Sequence, residues 1–461
     1  MKSLSTSMKQ LWWMRVAVLL VLLLLVASCN RNTPTPEPTA TPAPVVPSEN
    51  SGEGASPSGE TAAGANTPQA TVAQPANAQP AATPTPEPIG TLTLWHSWAE
   101  EDGDALATIL LTFAQRYPQV RVETLFVAYN DLPQSYADAV QANAGPDLIL
   151  APNWWLGEMV NAGVVQSVDA LVTAGTLDGA LLADFWPATL DNLRWQGTLY
   201  GLPTNFEVVA LFYNRELVGE QPLPATTDEL LKLAQASPQT GVGLYATLYH
   251  LYWGFPAYGA QLLDANGRAI LDQGNGATDY LTWLATLNRV DGSYIDSDYG
   301  MLLDRFKKGE FAFLVDGPWS IGELQGALGD NLAVTTLPAG PVANAQPWLN
   351  TDGVFLNPSL DPEQQWLATL FARHITSAES GQTLAQLANR LPANRTVALE
   401  NPLLQGFMAQ GASAEPYPTV PEMAEVWGYG GDLLIKVLDA NLDPAEAVLE
   451  TTTLINEANG K

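Results

Sequence analysis

Thirteen of the chain's 35 prolines fall between Pro34 and Pro88, in a stretch built mostly of Thr, Ala, Gly, Asn, Gln and Ser, with five Glu and no aromatic residue. Such a segment has too little apolar surface to offset its chain entropy, so it is expected to be disordered. The fold is thereby confined to the residues after Ile89, which number 372 of the 461. That length suits one large body or two medium domains with real cores. The Thr-Pro-Thr-Pro-Glu-Pro sequence recurs at both ends of the stretch, Thr33 to Pro38 and Thr83 to Pro88. It reads as a tether, part polyproline II and part coil.

A targeting segment precedes the tether. Lys2, Lys9 and Arg15 lead into an apolar run of 12 residues from Val16 to Ala27, then Ser28 and Cys29, the only cysteine. The run is too short to cross about 30 Å of hydrocarbon at 1.5 Å per residue, but it has the length of a signal-peptide core. With one cysteine no internal disulfide exists. The chain carries 19 Lys and Arg against 48 Asp and Glu, a net charge of −29. Loss of the three basic residues of the leader leaves 16 against 48, or −32. A field of that sign repels phosphate backbones and anionic lipid, which excludes nucleic acid as an expected partner.

From Gly90 onward short apolar runs alternate with helical stretches, the pattern of α/β construction. Strands are expected at 91–95, 120–127, 147–151, 198–202, 208–213, 311–315 and 333–337. Helices are expected at 105–116, 135–144, 227–234, 276–287, 301–308 and, closing the chain, 431–456. In open α/β sheets ligands sit beyond the carboxyl ends of the strands. Three strand ends there carry a Trp: Trp98, Trp154 and Trp319. Flat ring faces among carboxylates and amides suit sugars, whose C–H faces stack while their hydroxyls form hydrogen bonds.

Catalytic signatures are missing. The sequence holds no phosphate-binding Gly-x-x-x-x-Gly-Lys loop, no Gly-x-Ser-x-Gly elbow and no His-Glu-x-x-His pair. His96, His250 and His374 are too scattered to suggest a metal site, so neither metal nor cofactor is expected. A glycosidase carboxylate pair, some 5 to 9 Å apart, is not a test that sequence can apply to 48 acids.

Seven segments, in order, resemble the extracellular solute-binding proteins of ABC importers, and most nearly the maltose/maltodextrin-binding group. They are GTLTLWHSW (Gly90–Trp98), FAQRYPQVRVE (Phe113–Glu123), GPDLI (Gly145–Ile149), GTLYGLP (Gly197–Pro203), LFYNRE (Leu211–Glu216), FKKGE (Phe306–Glu310) and GPW (Gly317–Trp319). Val26-Ala27-Ser28-Cys29 resembles the lipobox of bacterial lipoproteins, which implies cleavage before Cys29 and acylation of it; two or more acyl chains anchor stably. The resemblance implies a periplasmic-binding-protein type II-like fold, two α/β lobes joined by crossover strands with a ligand cleft between them. Lobe 1 is expected to hold 90–208 with about 350–400, and lobe 2 about 209–349 with 401–461, after a leader over 1–28 and the tether over 29–89. It also implies a binding protein rather than an enzyme: a monomer, outside the cytoplasm, lipid-anchored to the cell membrane, that hands a neutral sugar to ABC permease subunits. A surface carbohydrate hydrolase and a sugar sensor uncoupled from transport are the alternatives.

The resemblance also nominates residues. Glu207 falls where the family places a cleft carboxylate at the first crossover. Trp319 matches its stacking Trp, and Trp427, closing PTVPEMAEVW (Pro418–Trp427), matches a late ligand-facing Trp. Tyr252 falls where an aromatic contacts the sugar, with Trp253 as the competing ring. Trp98 and Trp154 share their claim with Trp95 and Trp155, and Asp352 could reach the cleft from the second crossover. The chain departs from the group in three places. Trp154-Trp155 stands for an acidic-basic pair, Ala99-Glu100 for Asp-Lys, and His250 for an acid. Lys and Arg are scarce in these segments, which argues against an anionic ligand.

Overall fold

A computed structural model describes residues 87–461; the leader, Cys29 and all but the end of the tether lie outside the described residues. The strands are β1 (Gly90–His96), β2 (Val120–Phe126), β3 (Leu148–Pro152), β4 (Arg194–Trp195), β5 (Thr198–Leu199), β6 (Gly201–Glu207) and β7 (Ala210–Asn214). They continue as β8 (Val242–Tyr245), β9 (Ser293–Asp296), β10 (Phe313–Asp316), β11 (Leu332–Thr335), β12 (Trp348–Leu356), β13 (Leu391–Pro392) and β14 (Glu415–Pro416). Two mixed sheets dominate. One runs β13-β6-β12-β3-β1-β2 with β14 beside β12, and the other β11-β7-β10-β8-β9.

The chain passes between the sheets repeatedly. It leaves the first at the end of β6 and enters the second as β7, returns as β12, and leaves again after β13 for the helix Pro402–Gly411, which packs on β11. Each sheet has a large buried cluster, and a third, with Phe206, Leu391, Phe212 and Leu314, draws on both. Leu92, Leu94, Phe113, Ile149 and Phe371 belong to the first; Leu211, Leu244, Trp253, Tyr280 and Val315 belong to the second.

Strands β1, β2 and β3 are parallel, as are β8, β9 and β10, so their carboxyl ends fall on common edges. All five residues of β3 are buried, and the chain then turns through Asn153–Trp155, exposing part of Trp154. Strand β10 is buried throughout and turns through Pro318–Ser320. The turn fits because residue 317 is glycine: a Cβ there would run into the Trp319 ring.

Most expected elements are present within three residues of their expected bounds, and helix Gly276–Leu287 has the expected bounds. The helix expected at 105–116 begins five residues earlier, at Glu100, and three further expectations need correction. The closing helix is two helices, Met423–Leu438 and Pro444–Ala458. Asn441 adopts a left-handed φ of 55°, and the Asp443 side chain accepts hydrogen bonds from Ala445 and Glu446 ahead of Pro444 at the first turn. The strand expected at 198–202 divides. Gln196 and Gly197, at φ 50° and 84°, close a β4-β5 hairpin, and β6 begins only at Gly201. Strand β12 is expected from sequence only as a crossover. Asn350-Thr351-Asp352-Gly353 has turn composition, yet pairing on both flanks, with β6 and β3, holds it extended.

Candidate functional site

The β6-β12 ladder slips by one residue at Asp352: Asn205 opposes Asp352, but Pro203 opposes Gly353. Proline cannot donate to a ladder, and a bulge beside it is a common outcome. Thr204, the extra residue, donates to the Asp352 carbonyl at 3.0 Å, and Asn205 Nδ2 donates to the Asp352 carboxylate at 3.0 Å. This local geometry places Asp352 on a cavity of about 250 Å³. Glu207, the last residue of β6, lines the same cavity.

Trp98, Trp154 and Trp319 also line it. Five of the residues picked from sequence therefore come together. The first two Trp follow β1 and β3 of the first sheet and Trp319 follows β10 of the second, so the cavity is walled from both.

The other two lie elsewhere. Trp427 lines a second chamber of about 350 Å³, with Trp154, Trp155, Trp195 and Tyr417. Its ring stacks on Tyr417 at 5.8 Å and its Nε1 donates to the Tyr417 hydroxyl at 2.7 Å. Tyr252 borders a third chamber of about 920 Å³, with Gln346, Asp264 and Glu415. Trp348 stacks on it at 3.9 Å, and its hydroxyl donates to Glu415. Tyr252 is thus buried under another ring and absent from the first cavity. Trp253 is wholly buried against Tyr280 and Trp283, so of the two neighbours only Tyr252 reaches a chamber.

Among the residues that sequence does not single out, the first cavity includes three charged or aromatic ones: Asp102, Tyr129 and Arg390. Tyr129 lies just beyond the carboxyl end of β2, so the rule that selects the three Trp could have found it. Its hydroxyl accepts from Trp154 Nε1 at 2.9 Å. Asp102 reads as a solvated acid of a helix first turn, and Arg390 as an isolated cation before β13. Neither carries a sequence signal.

Arg390 is the one Lys or Arg among the described residues lining this cavity, where the sequence leads one to expect few. Its Nε and Nη2 donate to the two Asp102 oxygens at 2.8 and 2.5 Å, and its Nη1 donates to Glu207 Oε1 at 2.6 Å. Burial alone would lower the guanidinium's proton affinity, but the Asp102 hydrogen bonds and the Glu207 charge outweigh it and raise it. Burial pushes Glu207 up to about 7; Arg390 opposes this while Asp352 and Asp102 add to it. Asp352 is raised too, by burial against the pull of Arg390 and of Asn205.

The Glu207 shift has a consequence for stability. With a folded value near 7 against an ordinary 4.5, the folded chain keeps a proton that the unfolded chain has lost. Stability from this group is present below about pH 4.5 and is lost as pH rises through 7. Relative to Glu207→Gln, the wild-type chain is expected to lose up to about 3 kcal/mol between pH 5 and 8. Melting curves of both proteins across that range test it; a gap that stays constant with pH would contradict the assignment.

Trp319 is held from behind. Its Nε1 donates to the Tyr299 hydroxyl at 2.9 Å, and that hydroxyl donates to Asp316 Oδ2 at 2.8 Å. Asp316, 1% exposed, also faces His250 Nε2 at 3.3 Å and accepts from Gly317 N at 2.9 Å. His250 presents its edge to the Trp319 ring at 5.8 Å. Tyr299→Phe strands a buried carboxylate oxygen and the indole N–H, so a loss of about 1–3 kcal/mol is expected. Thermal unfolding and the near-ultraviolet dichroism of tryptophan would report it, and a variant unchanged in both would break this link.

Aromatic walls from two sheets, carboxylate acceptors and one doubly engaged cation are chemically suited to a hydroxyl-rich molecule with an apolar face. Among the described residues no group of three or more His, Cys, Asp and Glu could hold a metal ion.

Residues 109–409 match the family described as bacterial extracellular solute-binding protein. The maltotriose-binding protein of Pyrococcus abyssi is 25% identical over 377 residues, covering 78% of this chain and 80% of that protein. The galactooligosaccharide-binding protein of Bacillus subtilis is 23% identical over 380 residues, 77% of this chain and 86% of that one. Among solved structures, the Thermus thermophilus maltotriose binding protein bound with maltotriose is 26% identical, with a TM-score of 0.66 over 80% of this chain and 99% of that one. The two-lobed fold with a cleft is that of this group.

Proposed function

The chain belongs to the bacterial extracellular solute-binding protein family, and from that premise we propose that it is the lipid-anchored, sugar-binding component of an ABC importer. The observation that carries this reading is the cavity walled by Trp98 and Trp154 from one sheet and Trp319 from the other, with Glu207 and Asp352 between them. The rings stack on sugar C–H faces and the carboxylates accept sugar hydroxyls. Trp427, in a chamber that shares Trp154 with the first cavity, extends the aromatic surface for further sugar units. Names of the relatives favour an oligosaccharide of glucose or galactose.

Residues 90–208 with about 350–400 form lobe 1 in this reading, and about 209–349 with 401–461 form lobe 2. Ligand stabilises the closed arrangement because only there is it held from both sides. Among the described residues lining the cavity the one cation is engaged by two carboxylates, so an uncharged sugar is favoured over an anionic one. Cys29 carries the acyl chains and the Pro-rich segment spaces the body from the membrane, where it meets the permease as a monomer.

Calorimetry against maltotriose, a galactooligosaccharide and a glucuronate oligosaccharide tests the reading. A neutral oligosaccharide is expected to bind with Kd below about 100 μM, or roughly −5.5 kcal/mol, and the glucuronate at least about tenfold more weakly. A folded protein that takes none of them, nor any other oligosaccharide of a wider panel, would defeat it. Mass spectrometry of the membrane fraction, with and without Cys29→Ser, tests the anchor.

A further inference from the structure

Each of the three segments that pass between or border the sheets brings one charged residue to the cavity: Glu207 ends β6, Asp352 sits on β12, and Arg390 immediately precedes β13. The helix Glu100–Arg116 adds Asp102 from its first turn. Arg390 is the only cation among the described residues lining this cavity, and its side chain is 15% exposed. Its hydrogen bonds to other described side chains all go to carboxylates: a two-point fork onto Asp102, and one bond onto Glu207 Oε1. Glu207 Oε2 accepts no bond from the described residues. The fork is thus anchored at one end by Asp102 and has one nitrogen left to orient Glu207.

We infer that Arg390 is a positioning residue of the ligand cleft, tethered by Asp102 so that it fixes Glu207 by one oxygen and leaves the other for a ligand hydroxyl. The arrangement is specific to guanidinium. A planar fork can bind one carboxylate in two-point fashion and still reach a second, whereas an ammonium is a point charge. Orientation matters because a carboxylate free to rotate must be ordered when ligand binds, which reduces affinity.

The same contact sets the charge of Glu207. The groups that face it are Arg390, Asp102, Asp352, Tyr129 and Tyr249, and of these only Arg390 favours the ionised carboxylate. Burial and the two acids push the other way and leave Glu207 at about 7. Removing Arg390 therefore moves Glu207 higher still. An ionised carboxylate is the stronger acceptor for a hydroxyl, so ligand affinity rises as Glu207 loses its proton.

The inference rests on the sugar-binding reading for its ligand but not for its effect on Glu207, and the test has two arms. In the first, maltotriose affinity is measured by calorimetry from about pH 5.5 to 8.5. Wild type is expected to bind more tightly as pH rises through 7. Arg390→Met is expected to bind at least about tenfold more weakly at pH 7, with its rise displaced to higher pH by roughly a unit or more. Arg390→Lys is expected to recover the pH midpoint but not the full affinity, and it carries the test should Arg390→Met fail to fold. In the second arm, the Glu207 carboxyl is titrated by carbon-13 NMR in the ligand-free proteins, with Glu207→Gln to assign the signal. Its midpoint should move up in Arg390→Met. Variants that melt earlier yet keep the wild-type affinity, pH profile and Glu207 midpoint would overturn the inference and leave the sugar reading standing. A wild-type protein that binds no saccharide would defeat the sugar reading, and the Glu207 midpoint would then decide whether Arg390 holds that carboxylate.

Discussion

Trp319→Ala is expected to weaken oligosaccharide binding by more than about tenfold, toward a hundredfold, with the fold intact. The ring lines the cavity between the sheets. Covering about 100 Å² of apolar surface there amounts to roughly 2–3 kcal/mol at about 25 cal/mol per Å², or roughly 30- to 150-fold in Kd. The ring is only part of the second buried cluster's rim, packed against it rather than within it. Truncation therefore removes little core, although it frees the Tyr299 hydroxyl and uncovers His250. Calorimetry on the variant, paired with its melting temperature, checks both halves. Affinity equal to wild type would end the assignment of Trp319 as a stacking ring; a variant that has lost its fold would contradict its placement on the rim.

Trp348→Ala should have the largest effect on stability. Trp348 opens β12 and is wholly buried. It stacks on Tyr252 at 3.9 Å and an interplanar angle of 16°, and meets Tyr417 and Trp427 edge-on at 5.3 and 5.7 Å. Truncating a buried Trp to Ala costs about 3–5 kcal/mol through lost transfer and the cavity left behind. The three rings it supports border the second and third chambers, so affinity for the longer oligosaccharides should fall as well. Trp348→Phe keeps a ring against Tyr252 and should recover much of the stability. Chemical denaturation of the three proteins measures this, and an alanine variant within about 1 kcal/mol of wild type would show that Trp348 fills no essential volume.

These effects converge on positions whose legibility in the sequence varies for physical reasons. Trp98, Trp154 and Trp319 can be found because each stands directly after an apolar strand, and a strand's end is a local property. Tyr129 obeys the same rule after β2, but the apolar run continues to Val127 and blurs where that strand stops. Asp352 stands in a segment of turn composition, so neither its strand nor the bulge that places it can be anticipated. Tyr252 occupies the expected stretch, yet whether Trp348 covers its face depends on a residue 96 positions further along the chain. Asp102 and Arg390, 288 positions apart, have no local pattern that links them.

The features that this sequence determines alone come from composition and period. The α/β alternation after Gly90 sets the class of fold and the strand ends after which Trp98, Trp154 and Trp319 stand. Those properties depend on neighbours within a few residues. The tertiary structure alone decides which rings share a cavity, which of them another ring covers, and which cation meets which carboxylate. The reason is that burial and charge act between residues that the crossovers bring together, and the proton affinity of Glu207 reflects the buried site assembled around it rather than its neighbours in the chain.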